Sequence, residues 1–103
     1  MMNELIDAVT ALVGEETQRA KEQYGEKYAS LHEGYGVLVE EIDEVGEDME
    51  KIEDGLLRIL RYIRKNDWGA VGDWLSFIQQ DAINAACECI QVAAVARKMK
   101  EGM

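Results

Sequence analysis

The chain of 103 residues contains no proline, and its nine glycines are scattered rather than clustered. Turns between strands usually depend on proline, glycine and asparagine, so this shortage disfavours a protein built from hairpins. Long helices joined by short connections need few such residues. We therefore predict an all-α protein in which residues 1–103 form a single domain.

Long apolar runs are also missing. No stretch of about 18 apolar residues is present, which argues against a membrane-spanning helix. The first residues lack a basic segment followed by an apolar one, so no signal peptide is predicted. Cys87 and Cys89 stand two positions apart in a helical pattern, a spacing that suits neither a disulfide nor a zinc site. We interpret them as small core residues in a reducing compartment and expect a cytoplasmic protein.

Basic residues are few, since 11 lysines and arginines oppose 21 aspartates and glutamates and leave a net charge of −10. Nucleic acids bind to basic surfaces, so this composition argues against a nucleic-acid partner. One basic run stands out, at Arg58, Arg61, Arg64 and Lys65. A run of this kind is typical of a helix C-terminus, where it complements the macrodipole, and a phosphate-binding patch is the alternative.

Apolar periodicity predicts three helices, over about residues 3–24, 31–64 and 70–100. The third is apolar on nearly every face between residues 82 and 96, which is typical of a helix buried in a bundle or an oligomer. A chain of this length makes only a thin core. The predicted architecture is an antiparallel bundle of three main helices whose core is completed by oligomerisation, as a homodimer or homotetramer.

The second helix has the clearest pattern of the three. Ser30 followed by Glu33 is a capping-box motif, which marks its start. Apolar residues then alternate at spacings of four and three, the pattern of a helix that packs along its whole length. Gly46 and Gly55 each lower the helix propensity, yet the alternating spacing of the apolar residues continues past both glycines. One uninterrupted helix is therefore favoured.

Acidic residues line one face of this second helix. Glu41, Glu44 and Asp48 follow one another at spacings of three and four, and Glu40 lies beside them. Like charges at these spacings repel, whereas a bound cation would convert the repulsion into attraction. A solvated face is the ordinary alternative, because charge-rich helices are common.

A polar stripe crosses the otherwise apolar third helix. It consists of Asp81, Asn84, Glu88 and Gln91. A buried carboxylate is costly unless it is paired or bound to a cation, so Glu88 needs a partner. A cation shared with the glutamates of the second helix would satisfy both groups, and a hydrogen-bonded seam that fixes helix register is the alternative.

Oxygen ligands without a histidine or cysteine cluster suit hard divalent cations. They favour Mg²⁺ or Mn²⁺ together with a phosphorylated substrate. His32 is the only histidine and precedes the acids in the first turn of its helix, so we interpret it as structural. No glycine-rich phosphate loop is present.

Residues 32–44 and 86–96 together resemble the MazG-like all-α nucleoside triphosphate pyrophosphohydrolases, especially the short phage- and prophage-type members. The likeness covers about residues 30–100 and leaves residues 1–29 as a peripheral N-terminal helix. The family pattern is E-E-x-x-E on one helix and E-x-x-D on a later one. The resemblance implies that these acids bind Mg²⁺ and that water attacks the α-phosphorus, which yields a nucleoside monophosphate and pyrophosphate.

Residue by residue, Glu40, Glu41 and Glu44 match the first motif, and Glu88 matches the start of the second. The resemblance implies catalytic roles for these first three, with Glu40 tuning the site or orienting water. It implies that Glu41, Glu44 and Glu88 are metal ligands. Gln91 stands where the family has aspartate, so it is a weak or outer-shell ligand that brings no charge. A non-catalytic helical oligomerisation or nucleotide-binding module, with a weakened metal site, is the alternative function.

Cationic side chains that would contact the phosphates are not singled out by any motif. Arg97, Lys98 and the basic run around Arg61 are the candidates. The sequence favours none of them over the others.

Overall fold

The structure, a computed structural model, describes residues 1–103 and contains three α-helices and no strands. They are α1 (Met2–Tyr24), α2 (Leu31–Arg64) and α3 (Trp68–Glu101). The predicted all-α class is confirmed, and each predicted boundary agrees to within two residues. None of the helices has the length and apolar character that a membrane crossing requires.

The starts of α2 and α3 are defined by side-chain caps. The backbone N–H of Glu33 donates to Oγ of Ser30 at 3.1 Å, and the carboxylate of Glu33 accepts from the N–H of Ala29 at 3.2 Å. The predicted Ser30–Glu33 cap is thus present. Oδ1 of Asp67 accepts from the N–H of Ala70 at 3.1 Å, which starts α3 at Trp68, slightly earlier than periodicity predicts.

The connections between the helices are short. Gly25 ends α1 with a φ of 101°, a conformation that costs glycine little because it has no Cβ. Asn66, with a φ of 54°, makes the sharp turn between α2 and α3. Asparagine tolerates this left-handed conformation better than most residues.

Helix α2 is continuous through Gly46 and Gly55, as predicted. The two glycines differ in their surroundings. Gly46 is exposed, with no atom within 4 Å of where a Cβ would lie. Gly55 is buried, and a Cβ there would lie 3.0 Å from Cγ1 of Ile78 on α3. Gly55 therefore allows close packing of α2 and α3 at this level.

The chain comprises two compact units, residues 1–42 with 88–103, and residues 43–87. In the first unit, Gly34 of α2 packs against the side chain of Met99, so α2 and α3 run antiparallel. Lys21 near the end of α1 forms an ion pair with Glu101 at the end of α3, so these two helices run parallel. The second unit is a helical hairpin made from the remaining parts of α2 and α3.

The apolar core is small. Its buried apolar residues are Ile59, Ala85, Ala94 and Val95. Cys87 and Cys89 are exposed, so the interpretation of both as core residues is wrong. They point in different directions from α3, because they are two positions apart in a helix, and helical periodicity alone does not reveal which apolar face is covered.

Candidate metal centre

Three of the four predicted metal ligands come together. Glu41 and Glu44 lie one turn apart on α2, and Glu88 approaches from α3. One carboxylate oxygen from each residue lies within 4.8 Å of the other two. Glu41 and Glu88, both in the first unit, are half-buried, whereas Glu44 is exposed. The cluster is thus partly withdrawn from solvent and open on one side.

The spacing of these oxygens suits a divalent cation. Octahedral Mg²⁺ holds its ligands at about 2.0–2.1 Å, so opposite ligands lie about 4.2 Å apart. Adjacent ligands of such an ion lie only about 2.9 Å apart, so the three oxygens, which lie within 4.8 Å of one another, must move closer together to bind one ion directly. Three carboxylates and no soft ligand favour Mg²⁺ or Mn²⁺, so the residues present fit the predicted metal.

Tyr28 lies in the first unit, where its phenol is affected by the charge of Glu41. Burial raises the pKa of its phenol, and the negative charges of Glu41 and Glu33 raise that pKa further. An electrostatic effect of this kind requires the groups to be near each other in a partly desolvated environment. Tyr28 therefore lies within electrostatic range of Glu41, a candidate metal ligand.

The other two predicted site residues have different surroundings. Glu40 is exposed and does not belong to the three-carboxylate group, so its role in orienting water stays a prediction. Gln91 is half-buried, and its Nε2 donates a hydrogen bond of 2.7 Å to Oε1 of Glu16 on α1. The amide of Gln91 is thus engaged by α1, while its role as an outer-shell metal ligand also stays a prediction.

Glu16 is a residue that the sequence pattern does not single out. It accepts hydrogen bonds from Arg19 and from Gln91. The Arg19 bond is the main cause of the lowered pKa of Glu16, and the Gln91 bond lowers that pKa as well, while burial opposes both. Glu16 lies in the mostly polar second half of α1, where periodicity gives no sign of a partner.

The remaining polar residues of the predicted faces do not join the cluster. Asp48 is 8% exposed, which makes it the most buried acidic side chain, yet it lies outside the three-carboxylate group. Asp81 is half-buried, and Asn84 is exposed and accepts a hydrogen bond of 3.1 Å from Nε2 of Gln80. The residues of the polar stripe on α3 therefore differ in burial and do not form one site.

The three cationic side chains that are candidates for phosphate contact differ in their surroundings. Nε of Arg97 lies 2.8 Å from Oε1 of Glu101 in a partly exposed ion pair. Arg61 is exposed in the last turn of α2, as a macrodipole-complementing residue would be. Lys98 is only 2% exposed, and its ammonium lies 4.2 Å from the centroid of the Tyr28 ring.

Three converging carboxylates can bind a divalent cation and, through it, the phosphates of a nucleotide. No protein-family model, curated protein or solved structure matches the chain.

Proposed function

We propose that the protein is a Mg²⁺-dependent hydrolase that converts a nucleoside triphosphate into a nucleoside monophosphate and pyrophosphate, with Mn²⁺ as an alternative metal. The observation that carries the proposal is the convergence of Glu41, Glu44 and Glu88 from two helices. The same three acids are among the residues that carry the resemblance to the MazG-like enzymes. A cytoplasmic location, where nucleotides are abundant, is part of the proposal.

Each acid has a defined task in this reaction. Glu41, Glu44 and Glu88 would hold the metal, which would supply charge neutralisation and orientation for the triphosphate. Glu40, exposed beside Glu41, orients the attacking water. The water oxygen forms a bond to the α-phosphorus, the bond from that phosphorus to the α,β-bridging oxygen breaks, and pyrophosphate leaves. The water proton passes to solvent.

A second function is favoured by one observation, the engagement of Gln91 by Glu16. A neutral amide held by α1 adds no charge to the metal centre, so the cluster has one carboxylate fewer than the family pattern. A non-catalytic MazG-like module would use the same fold for oligomerisation or nucleotide binding. It would show weak divalent binding and no turnover.

Self-association is proposed for both functions. The first half of α1 exposes most of its apolar face, with Leu5, Ile6, Val9 and Leu12 between 38% and 57% exposed and only Val13 half-buried. Large apolar patches of this kind are typical of protein interfaces rather than of free surfaces. We propose a homodimer or homotetramer. Analytical ultracentrifugation tests it, and a monomer at micromolar concentration would contradict it.

The decisive experiment measures pyrophosphate release from a panel of canonical and modified nucleoside triphosphates, with Mg²⁺ or Mn²⁺. We expect turnover of at least one substrate, and a loss of at least about a hundredfold in kcat/KM for Glu41→Gln and Glu88→Gln. Glu47→Gln, an exposed acid on α2, is the matched control and should retain activity. No turnover of any substrate, or full activity in the two cluster variants, would refute catalysis.

A further inference from the structure

One hydrogen bond links α1 to the part of α3 that carries a candidate metal ligand. It is the 2.7 Å bond from Nε2 of Gln91 to Oε1 of Glu16. Gln91 follows Glu88 by three positions, so the two side chains share a face of α3. Glu16, Glu88 and Gln91 all belong to the first unit. The bond therefore forms within one compact unit and beside the candidate metal centre.

Glu16 is itself held by Arg19, one turn further along α1. Nε of Arg19 donates to Oε2 of Glu16 at 3.0 Å, and Nη2 of Arg19 donates to both carboxylate oxygens. Together with the bond from Gln91, these bonds engage both oxygens of Glu16. The Glu16 side chain is only 18% exposed. Glu16 is therefore a fixed acceptor rather than a carboxylate that is free to bind a metal.

The charge of Glu16 determines which end of the Gln91 amide faces α1. The hydrogen bond from Arg19 is the main cause of the lowered pKa of Glu16, so this carboxylate is ionised near neutral pH. An ionised carboxylate only accepts hydrogen bonds, whereas an amide has a donor nitrogen and an acceptor oxygen. A flipped amide would place its oxygen against the carboxylate, where the two oxygens repel. The amide nitrogen of Gln91 is thus assigned to α1.

This assignment leaves the carbonyl oxygen of Gln91 for a cation. Hard divalent cations accept amide carbonyl oxygens as ligands, directly or through a bound water, whereas an amide nitrogen presents two hydrogens of positive partial charge. The terminal torsion of glutamine is broad and roughly two-fold, so an unrestrained amide presents either end. Glu16 therefore excludes an orientation of Gln91 that a cation would repel.

We infer that Glu16 is a positioning residue, which holds the Gln91 amide so that its carbonyl oxygen serves the cation bound by the carboxylate cluster. The inference rests on the metal centre of the proposed function. It gives the N-terminal helix a role in that centre, because the acceptor that orients Gln91 lies on α1.

Calorimetric titration with Mn²⁺ in the absence of nucleotide tests the inference. Removing the hydrogen-bond partner of a metal ligand typically lowers metal affinity by about 10–100-fold, so Glu16→Gln should weaken Mn²⁺ binding at least about tenfold. Glu15→Gln removes the same charge from an exposed neighbour on α1. It is the matched control and should bind Mn²⁺ like the wild type. Equal affinity in the wild type and in Glu16→Gln would overturn the inference.

An exchange of the two side chains tests the geometry of the pair. Glu16→Gln combined with Gln91→Glu keeps the net charge, and the amide introduced at position 16 can donate to the carboxylate at position 91. The exchange also places a charged oxygen ligand beside Glu88. This double variant should bind Mn²⁺ at least as tightly as the wild type. If it binds as weakly as Glu16→Gln alone, position 91 does not face the cation and the inference fails.

A third measurement needs no substitution and so does not depend on the folding of any variant. Mn²⁺ broadens the NMR signals of nearby nuclei, with an effect that falls steeply with distance. Gln79 lies nine residues before Glu88 on α3, which is about 13 Å along the helix axis. In the wild type, Mn²⁺ should broaden the side-chain NH₂ signals of Gln91 more than those of Gln79. An effect on Gln91 no stronger than that on Gln79 would overturn the inference.

The outcomes also separate this inference from the proposed function. Mn²⁺ binding that depends on Glu16, without turnover of any triphosphate, would support the positioning role and refute catalysis. Mn²⁺ binding that is independent of Glu16 would overturn the positioning role and leave the metal centre intact. No Mn²⁺ binding by the wild type would refute both.

Discussion

The side-chain amide of Gln91 donates a hydrogen bond of 2.7 Å to the carboxylate of Glu16, which joins α3 to α1 within the first unit. Gln91 lies one helical turn beyond Glu88, so this bond forms close to a candidate metal ligand. The N-terminal helix therefore contacts the motif-bearing part of the chain at a residue of the second motif. Through this contact, α1 can influence the position of the Gln91 side chain beside the candidate site.

The Glu16–Gln91 bond should be measurable as a coupling energy. In a double-mutant cycle with Glu16→Ala and Gln91→Ala, we expect about 1 kcal/mol of coupling in urea unfolding, because the pair is only partly buried. Glu15→Ala, at an exposed neighbour, combined with Gln91→Ala is the control and should be additive. A coupling below about 0.3 kcal/mol would show that the bond contributes nothing to stability.

Metal binding should stabilise the folded chain. A ligand that binds only the native state adds about 2.7 kcal/mol at a concentration of 100 times its Kd. We expect Mg²⁺ or Mn²⁺ to raise the Tm of the wild type and of Glu47→Gln. Glu88→Gln should lose this increase, because it removes the only ligand of the cluster that α3 supplies. An undiminished metal-dependent increase in Glu88→Gln would contradict the site.

Glu101 should confer a pH dependence on stability. Its hydrogen bonds with Arg97 and Lys21 lower its pKa from 4.5 to about 2. Because the folded-state pKa is depressed, these ion pairs stabilise the fold fully above about pH 4.5, and this contribution is lost as the pH falls from 4.5 towards 2.

Urea unfolding at several pH values tests this expectation. The wild type should be more stable than Glu101→Gln near pH 6, and the difference should shrink as the pH approaches 2. Glu26→Gln, at another exposed acid, serves as the control for general acid titration. If the difference between the wild type and Glu101→Gln is the same at all pH values, the ion pairs do not act as described.

The two glycines within α2 should respond differently to alanine. Gly46→Ala should stabilise the fold by about 0.5–1 kcal/mol, because nothing lies within 4 Å of the added Cβ. Gly55→Ala brings a methyl group to 3.0 Å from Cγ1 of Ile78, and overpacking of this kind costs about 1–3 kcal/mol. Thermal unfolding compares the stabilities of the two variants with that of the wild type. Equal stabilisation by both substitutions would show that α3 does not pack closely at Gly55.

Much of the secondary structure follows from local sequence. The four-three apolar alternation predicts an uninterrupted α2, and the Ser30–Glu33 motif predicts where it begins. Both signals act through residues within about four positions of one another, which is the range of helical hydrogen bonds and caps. Asp67 illustrates the limit of this precision, since its cap starts α3 earlier than the apolar pattern does.

Burial is less predictable. The apolar surface of α3 implies a covered helix, yet Cys87 and Cys89 are exposed and only part of that surface is covered by this chain. Periodicity identifies the apolar faces of a helix, while the element that covers each face depends on packing with other helices or other chains. The exposed face of α1 is a second example of the same limitation.

The candidate site combines both kinds of information. The local sequence determined that Glu41 and Glu44 share a face of α2, because a helix brings residues three positions apart together. Their approach to Glu88, the bond between Gln91 and Glu16, and the burial of Lys98 against Tyr28 became evident only from the packed helices. These residues are distant in the chain, and only tertiary packing sets the distance between side chains on different helices.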